Sequence, residues 1–202
     1  MVEPMVRDVP ALFRASGSPA PEVLKPASTL RPPSNVPYLV DNLWEWSRPP
    51  EFPSRRSACF ASATAEAALN SQNPAQESFV HRLVGLPPDW LIAQHAFEDA
   101  KFDLDVRGLQ AYVRQALSWE WFGKSIDQKQ PEALLFCPTL AGDEVQRTIE
   151  YSEFLDADEL KARVTFWTRV KLLRFGTDQL SLKGEVFFSI PREGISFESV
   201  HP

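Results

Sequence analysis

SRPPEFPSRRSACFASATAEAALNS, residues 47–71, is the stretch from which the rest of the chain is read. Pro49, Pro50 and Pro53 break a loop that carries Arg48, Arg55 and Arg56. Ala58, Cys59, Phe60 and Ala61 then read as a short strand, and AEAAL as a helix. Ser62 or Thr64 can cap that helix, because a side-chain oxygen there accepts from amides with no intrahelical partner; Glu66 in the first turn suits the helix dipole. Asn70 to Pro74 end it. Cations, a short strand and a capped helix start make a workable anion site: a guanidinium offers a planar fork to phosphate, and helix amides add donors. Side chains alternate along an extended chain, so only one of Arg55 and Arg56 is expected to point inward, with its neighbour facing solvent or a surface acid. The competing reading is a surface ion-pair cluster with Glu45, Glu51 or Glu66.

Outward from this stretch, composition sets the bounds. In 202 residues, 44% are hydrophobic, with six Trp and fourteen Phe, enough for a sizeable core in one domain. The net charge of −6 argues against a general nucleic-acid binder, which needs a basic surface to neutralise phosphates, but leaves room for a local basic pocket. Cys59 and Cys137 are too few and too isolated for a disulfide framework or a zinc site, and their apolar surroundings read as buried free thiols, so no metal is expected. The N-terminus lacks the apolar core of a signal peptide and no run reaches transmembrane length. The expectation is a cytoplasmic protein without membrane contact, or one delivered into a target cell without a conventional signal.

Residues 1–35 read as a disordered Pro-rich leader, with VPALF the one run able to dock, and 36–202 as a single domain. VPYLV (36–40) reads as a short strand leading into DNLWEW, whose Trp44 and Trp46 should be largely buried. ESFVHRLVGL (77–86) alternates as a strand, and PPDWLIAQHA gives another. From Arg107, the spacing of Leu109, Tyr112, Val113, Ala116 and Leu117 predicts a helix that stops at Gly123. EALLFCP (132–138) reads as a buried strand. Asp143 to Ile149 form a short helix, and Asp156 with Glu159 a capping box. ARVTFWTRVKLLRFG and LSLKGEVFFSIP read as two long strands joined through a turn near Gly176 to Gln179. The sum is an α+β fold, a mixed or antiparallel sheet core with short flanking helices.

Few residues carry chemistry by pattern. Glu132 stands at the mouth of the most apolar run, where desolvation and a nearby cation can tune a carboxylate. His81, His95 and His201 converge in no recognisable spacing and are assigned no role. No HExxH, GxSxG, Walker or GxGxxG pattern occurs.

The succession VPYLVDNLWEW, RPPEFPSRRSACFASATAEAAL and QPEALLFCP resembles the ADP-ribosyltransferase superfamily in its divergent bacterial and phage forms, over residues 36 to 140. In that family an early strand meets nicotinamide adenine dinucleotide (NAD). A second strand of the type aromatic–Ala–Ser/Thr leads into a helix, as in CFASATAEAAL, and a late strand carries the catalytic glutamate, as in PEALLFCP. One departure stands: the early strand usually supplies a histidine or arginine, and VPYLVDN has neither. The resemblance implies an ADP-ribosyltransferase-like fold and a mono-ADP-ribosyltransferase, toxin or effector in kind, that cleaves NAD at the nicotinamide–ribose bond. Its acceptor would be a protein or nucleic acid, and a cognate immunity protein would be a natural partner. Glu132 would be catalytic. Arg48, Arg55 or Arg56 would hold the diphosphate, Ser62 or Thr64 would bond the ribose or support Glu132, and Trp44, Trp46 or Phe60 would wall the nicotinamide. The alternative is a non-catalytic interaction protein, an immunity factor or adaptor.

Overall fold

The computed structural model describes residues 11–31, 34–72, 75 and 77–200. In chain order it runs β1 (Phe13–Ser16), β2 (Glu22–Leu24), α1 (Tyr38–Trp46), β3 (Cys59–Ser62), α2 (Ala65–Asn70), β4 (Phe79–Val84) and β5 (Leu91–His95). Then follow α3 (Leu104–Gly123), α4 (Ile126–Ala133), α5 (Gly142–Glu150), α6 (Ala157–Arg163), β6 (Val170–Arg174), β7 (Glu185–Phe188) and β8 (Ile195–Ser199). These elements form two compact units. The sheet unit takes the chain up to Ser28, Ser57–Asp99 and the stretch from Val170; the helical unit takes Thr29–Arg56 and Ala100–Arg169. The fold is α+β, and no helix among the described residues is long and apolar enough to cross a membrane.

The sheet unit is one eight-stranded antiparallel sheet of order β2-β8-β4-β1-β3-β7-β5-β6. β4 alternates as its sequence does: His81 and Leu83 are buried, Arg82 and Val84 exposed. β7 lies between β3 and β5, and its run Val186-Phe187-Phe188 is buried on both faces, as an interior strand of continuous apolar sequence should be. Leu12, Cys59, Leu83, Ile92, Val186 and Phe197 share the core. β1 and β3 meet at a single register pair, Phe13 opposite Ser62, while β1 pairs with β4 over four residues and β3 with β7 over four. A seam therefore divides the sheet into two four-stranded halves.

The expected free leader is corrected for residues 11–31; residues 1–10 lie outside the described residues, as do Asn73, Pro74 and His201. β1 is an interior strand and β2 an edge strand paired to β8. A composition poor in apolar residues concealed this, because a strand flanked on both sides is held by its backbone ladder, and here Leu12 and Ala15 supply the burial. The expected C-terminal hairpin is also absent: β5 stands between β6 and β7, a non-local pairing that local pattern does not reveal.

The helical unit holds two elements the sequence reading took for strands. VPYLV enters α1, whose Leu39, Val40, Leu43 and Trp44 are buried, a stripe of helical period. EALLFCP forms the end of α4 and a 3-10 turn, Leu134–Phe136, in which Leu135 alone is buried. Cys137, expected to be buried, is exposed. α3 begins at the Asp103 cap and buries Val106, Leu109, Val113 and Leu117, as its periodicity predicts, but kinks at Ser118 (φ 49°, ψ −176°). Asp103 and Asp105 together grip Arg169, and Asp105 also accepts from Trp44 Nε1 at 3.1 Å and from the Phe166 amide at 2.8 Å.

Candidate functional site

The arginine loop turns inward on its own unit. Arg56 is 3% exposed; its Nε donates to Asp41 Oδ2 at 2.7 Å, Nη1 to the Leu140 carbonyl at 2.6 Å and Nη2 to Asn42 Oδ1 at 2.6 Å. Burial pushes the Asp41 carboxyl above its ordinary value, with Arg56 and then Arg55 pulling the other way. Arg55 is buried as well, its guanidinium over Phe166 at 5.4 Å and Trp44 at 5.8 Å. Both neighbours are thus enclosed because residues 55–57 form a turn and not a strand, so alternation does not apply. Arg48 donates to Glu45 at 3.0 Å and to the Phe52 carbonyl at 2.7 Å. Trp44 is a core residue stacked on Phe166 at 4.1 Å. Trp46 donates to Gln146 at 2.7 Å. These groups build the unit.

Glu132 is likewise structural in its surroundings. It is 3% exposed, on α4 and not on a strand; Ser152 Oγ donates to its Oε1 at 2.6 Å and Trp121 Nε1 to its Oε2 at 3.2 Å. Both carboxylate oxygens are engaged in tying α4 to α3 and to the turn after α5.

The remaining expected residues, Phe60, Ser62 and Thr64, belong to the sheet unit. Thr64 caps α2, accepting from the Ala67 amide at 3.1 Å. Ser62 stands directly opposite Glu185, and Phe60 opposite Phe187. Directly opposed residues of an antiparallel pair, and those two positions along, share one face. Phe60, Ser62, Glu185 and Phe187 therefore line the same face, with the two phenyl rings 6.0 Å apart. The Glu185 amide donates to the Phe97 carbonyl at 2.8 Å, which fixes the start of β7. Gly184, with φ +107°, permits this approach, since a Cβ there would run into the His95 carbonyl.

On the other side of the seam, β1 carries Arg14. Its guanidinium reaches the core-side face, with Nη1 3.9 Å from Cys59 Sγ, Nε 3.7 Å from Glu22, and the Phe197 ring centroid at 6.0 Å. Phe13, not Arg14, stands opposite Ser62, so Arg14 lies on the other face of the sheet from Ser62 and Glu185. Arg14 and Glu185 escaped the sequence reading. The signal for Glu185 was present: EVFFSIP repeats the pattern that drew attention to Glu132, an acid, an apolar run and a proline. Arg14 was hidden in the supposed leader.

Comparison of the chain with family models, with curated proteins and with solved structures finds no match.

Proposed function

We propose that the chain is an NAD-consuming mono-ADP-ribosyltransferase whose reacting carboxylate is Glu185. The observation that carries the reading is the register pair of Ser62 with Glu185 on one face. The resemblance noted in the sequence calls for an arginine on an early strand, an aromatic–Ala–Ser strand and a glutamate on a later strand. With β1 as the early strand, the position on the Ser62 face is Phe13, and Arg14 is turned to the opposite face, so the departure noted for VPYLVDN stands. Phe60-Ala61-Ser62 is the second element, and Glu185 replaces Glu132 in the third.

The chemistry follows from placing the dinucleotide's nicotinamide-side ribose against Ser62 and Glu185. The bond between ribose C1′ and the nicotinamide nitrogen breaks, its electron pair neutralises the pyridinium, and positive charge develops on the ribose. Glu185 accepts from a ribose hydroxyl, and its negative charge stabilises that cation; Ser62, directly opposite it in the ladder, supplies a hydroxyl on the same face for the ribose. Phe60, half-buried, offers an apolar wall for the leaving ring. An acceptor nucleophile then attacks C1′ and passes its proton to the Glu185 carboxylate.

The test is nicotinamide release from NAD by the full chain. Glu185→Gln keeps the shape of the side chain and removes the charge, so release should fall by about two to three orders of magnitude, the scale for losing an electrostatic stabiliser. Absence of release from wild type, or undiminished release by Glu185→Gln, would end this reading.

A further inference from the structure

We propose that an open groove along α3 docks an amphipathic helix of a partner protein, gripped through two acidic side chains two helical turns apart. The groove encloses about 720 Å³. Leu39, Val113 and Leu117 form its floor, and Tyr38, Trp121 and Phe122 its aromatic wall. It belongs wholly to the helical unit.

Charge selects the occupant. Arg107 and Arg114 line the groove and are exposed, and among the described residues neither has a recorded ion pair or hydrogen bond from its side chain. Other exposed arginines of this unit are matched on their own helices, Arg147 by Asp143 at 2.8 Å and Arg163 by Glu159 at 2.6 Å. α3 offers Arg107 and Arg114 no such acid: the positions three and four residues away hold Asp103, Leu104, Gln110, Ala111, Leu117 and Ser118, and Asp103 is taken by Arg169. In a chain of net charge −6, two unmatched cations beside an apolar groove form a local field for acidic groups. Seven residues separate them, about 10.5 Å along the axis, so carboxylates at i and i+7 of a docked helix match both. Arg107 to Leu117, ahead of the kink, spans about 15 Å, room for roughly three turns.

The aromatic end of the groove is fixed in place. Trp121 is held by Glu132, packs edge-on against Phe122 at 5.2 Å, and follows directly on the kink at Ser118. Trp119, 89% exposed, packs against Phe122 at 5.9 Å and extends this apolar surface, of the kind that marks a contact site.

A display library of helical peptides selected against the full chain tests this. Enriched peptides should carry an apolar stripe and an Asp or Glu pair seven residues apart, and their binding should weaken with salt. The double variant Arg107→Glu/Arg114→Glu should bind those peptides at least about tenfold less tightly, and selection against it should enrich Lys or Arg at the same spacing. Glu185→Gln should bind as wild type does. No enrichment, enrichment without the acidic pair, or indifference to the double charge reversal would overturn the assignment. So would sedimentation showing that the chain dimerises and that the reversal abolishes the dimer, since the occupant would then be a second copy.

Discussion

The guanidinium of Arg56 satisfies three buried acceptors at once, so truncation to Ala strands the Asp41 carboxylate, the Asn42 amide oxygen and the Leu140 carbonyl. Breaking a buried pair from one side costs about 3–5 kcal/mol, and urea denaturation of Arg56→Ala should show a loss of that size. Arg56→Lys should recover part of it, because a single ammonium cannot reproduce the fork. A loss below about 1 kcal/mol would contradict the network. The pH dependence has a definite sign. The Asp41 pKa is raised by burial, so the native state holds this proton more tightly than the unfolded chain does. A raised carboxyl contributes most at pH below its unfolded value, and that contribution is lost as pH rises through the native value. Removing Arg56 raises Asp41 further, so the deficit of Arg56→Ala should narrow on acidification. Glu132→Gln makes the complementary case. It leaves one acceptor and sets an amide donor against Ser152 Oγ or Trp121 Nε1, which should cost about 1–3 kcal/mol while leaving nicotinamide release unchanged.

At the scale of elements, the backbone outliers give the clearest expectations. Ser118 occupies a region of φ and ψ that is open essentially to Gly alone, at a cost of about 1–3 kcal/mol. Ser118→Gly should therefore raise the thermal midpoint; an unchanged or lower midpoint would show that its side chain offsets the strain. Gly184→Ala should do the opposite, since it adds that same penalty at φ +107° and drives a Cβ into the His95 carbonyl at the head of β7. Elements with local grammar were legible in the sequence. The Thr64 cap, the Asp156 cap that accepts from the Glu159 amide at 2.7 Å, the alternation of β4 and the stripe of α3 all stand where the pattern put them. Short apolar runs were not legible. VPYLV and EALLFCP are too brief for periodicity to separate helix from strand; the β-branched and aromatic content of the first and the unbroken apolar run of the second both suit a strand. Of the candidate site, Ser62 and Phe60 were visible because they lie beside a capped helix. Glu185 was not, because its place opposite Ser62 depends on a pairing across more than a hundred residues.

For the whole molecule, the fate of the N-terminal segment is the sharpest departure from composition. Deleting residues 1–28 removes β2 from the edge and β1 from between β4 and β3. Both interior neighbours lose a ladder, and the sheet unit should lose its cooperative transition by near-UV circular dichroism. A truncated chain that melts like the full one would show that β1 adds little. The interleaving of the two units carries a consequence for synthesis. The helical unit has all of its residues once Arg169 has been made, whereas the sheet unit must wait for β7 and β8, which fill interior places. A nascent chain halted before Gly184 would expose the edges of β3, β5, β2 and β4 while holding a complete set of helices. A ribosome-bound or prematurely ended product would therefore carry sticky edges beside a finished set of helices. The edges of β3 and β5 would be covered when β7 arrives, and those of β2 and β4 only with β8, so the last strand to be made is the one that ends the exposure.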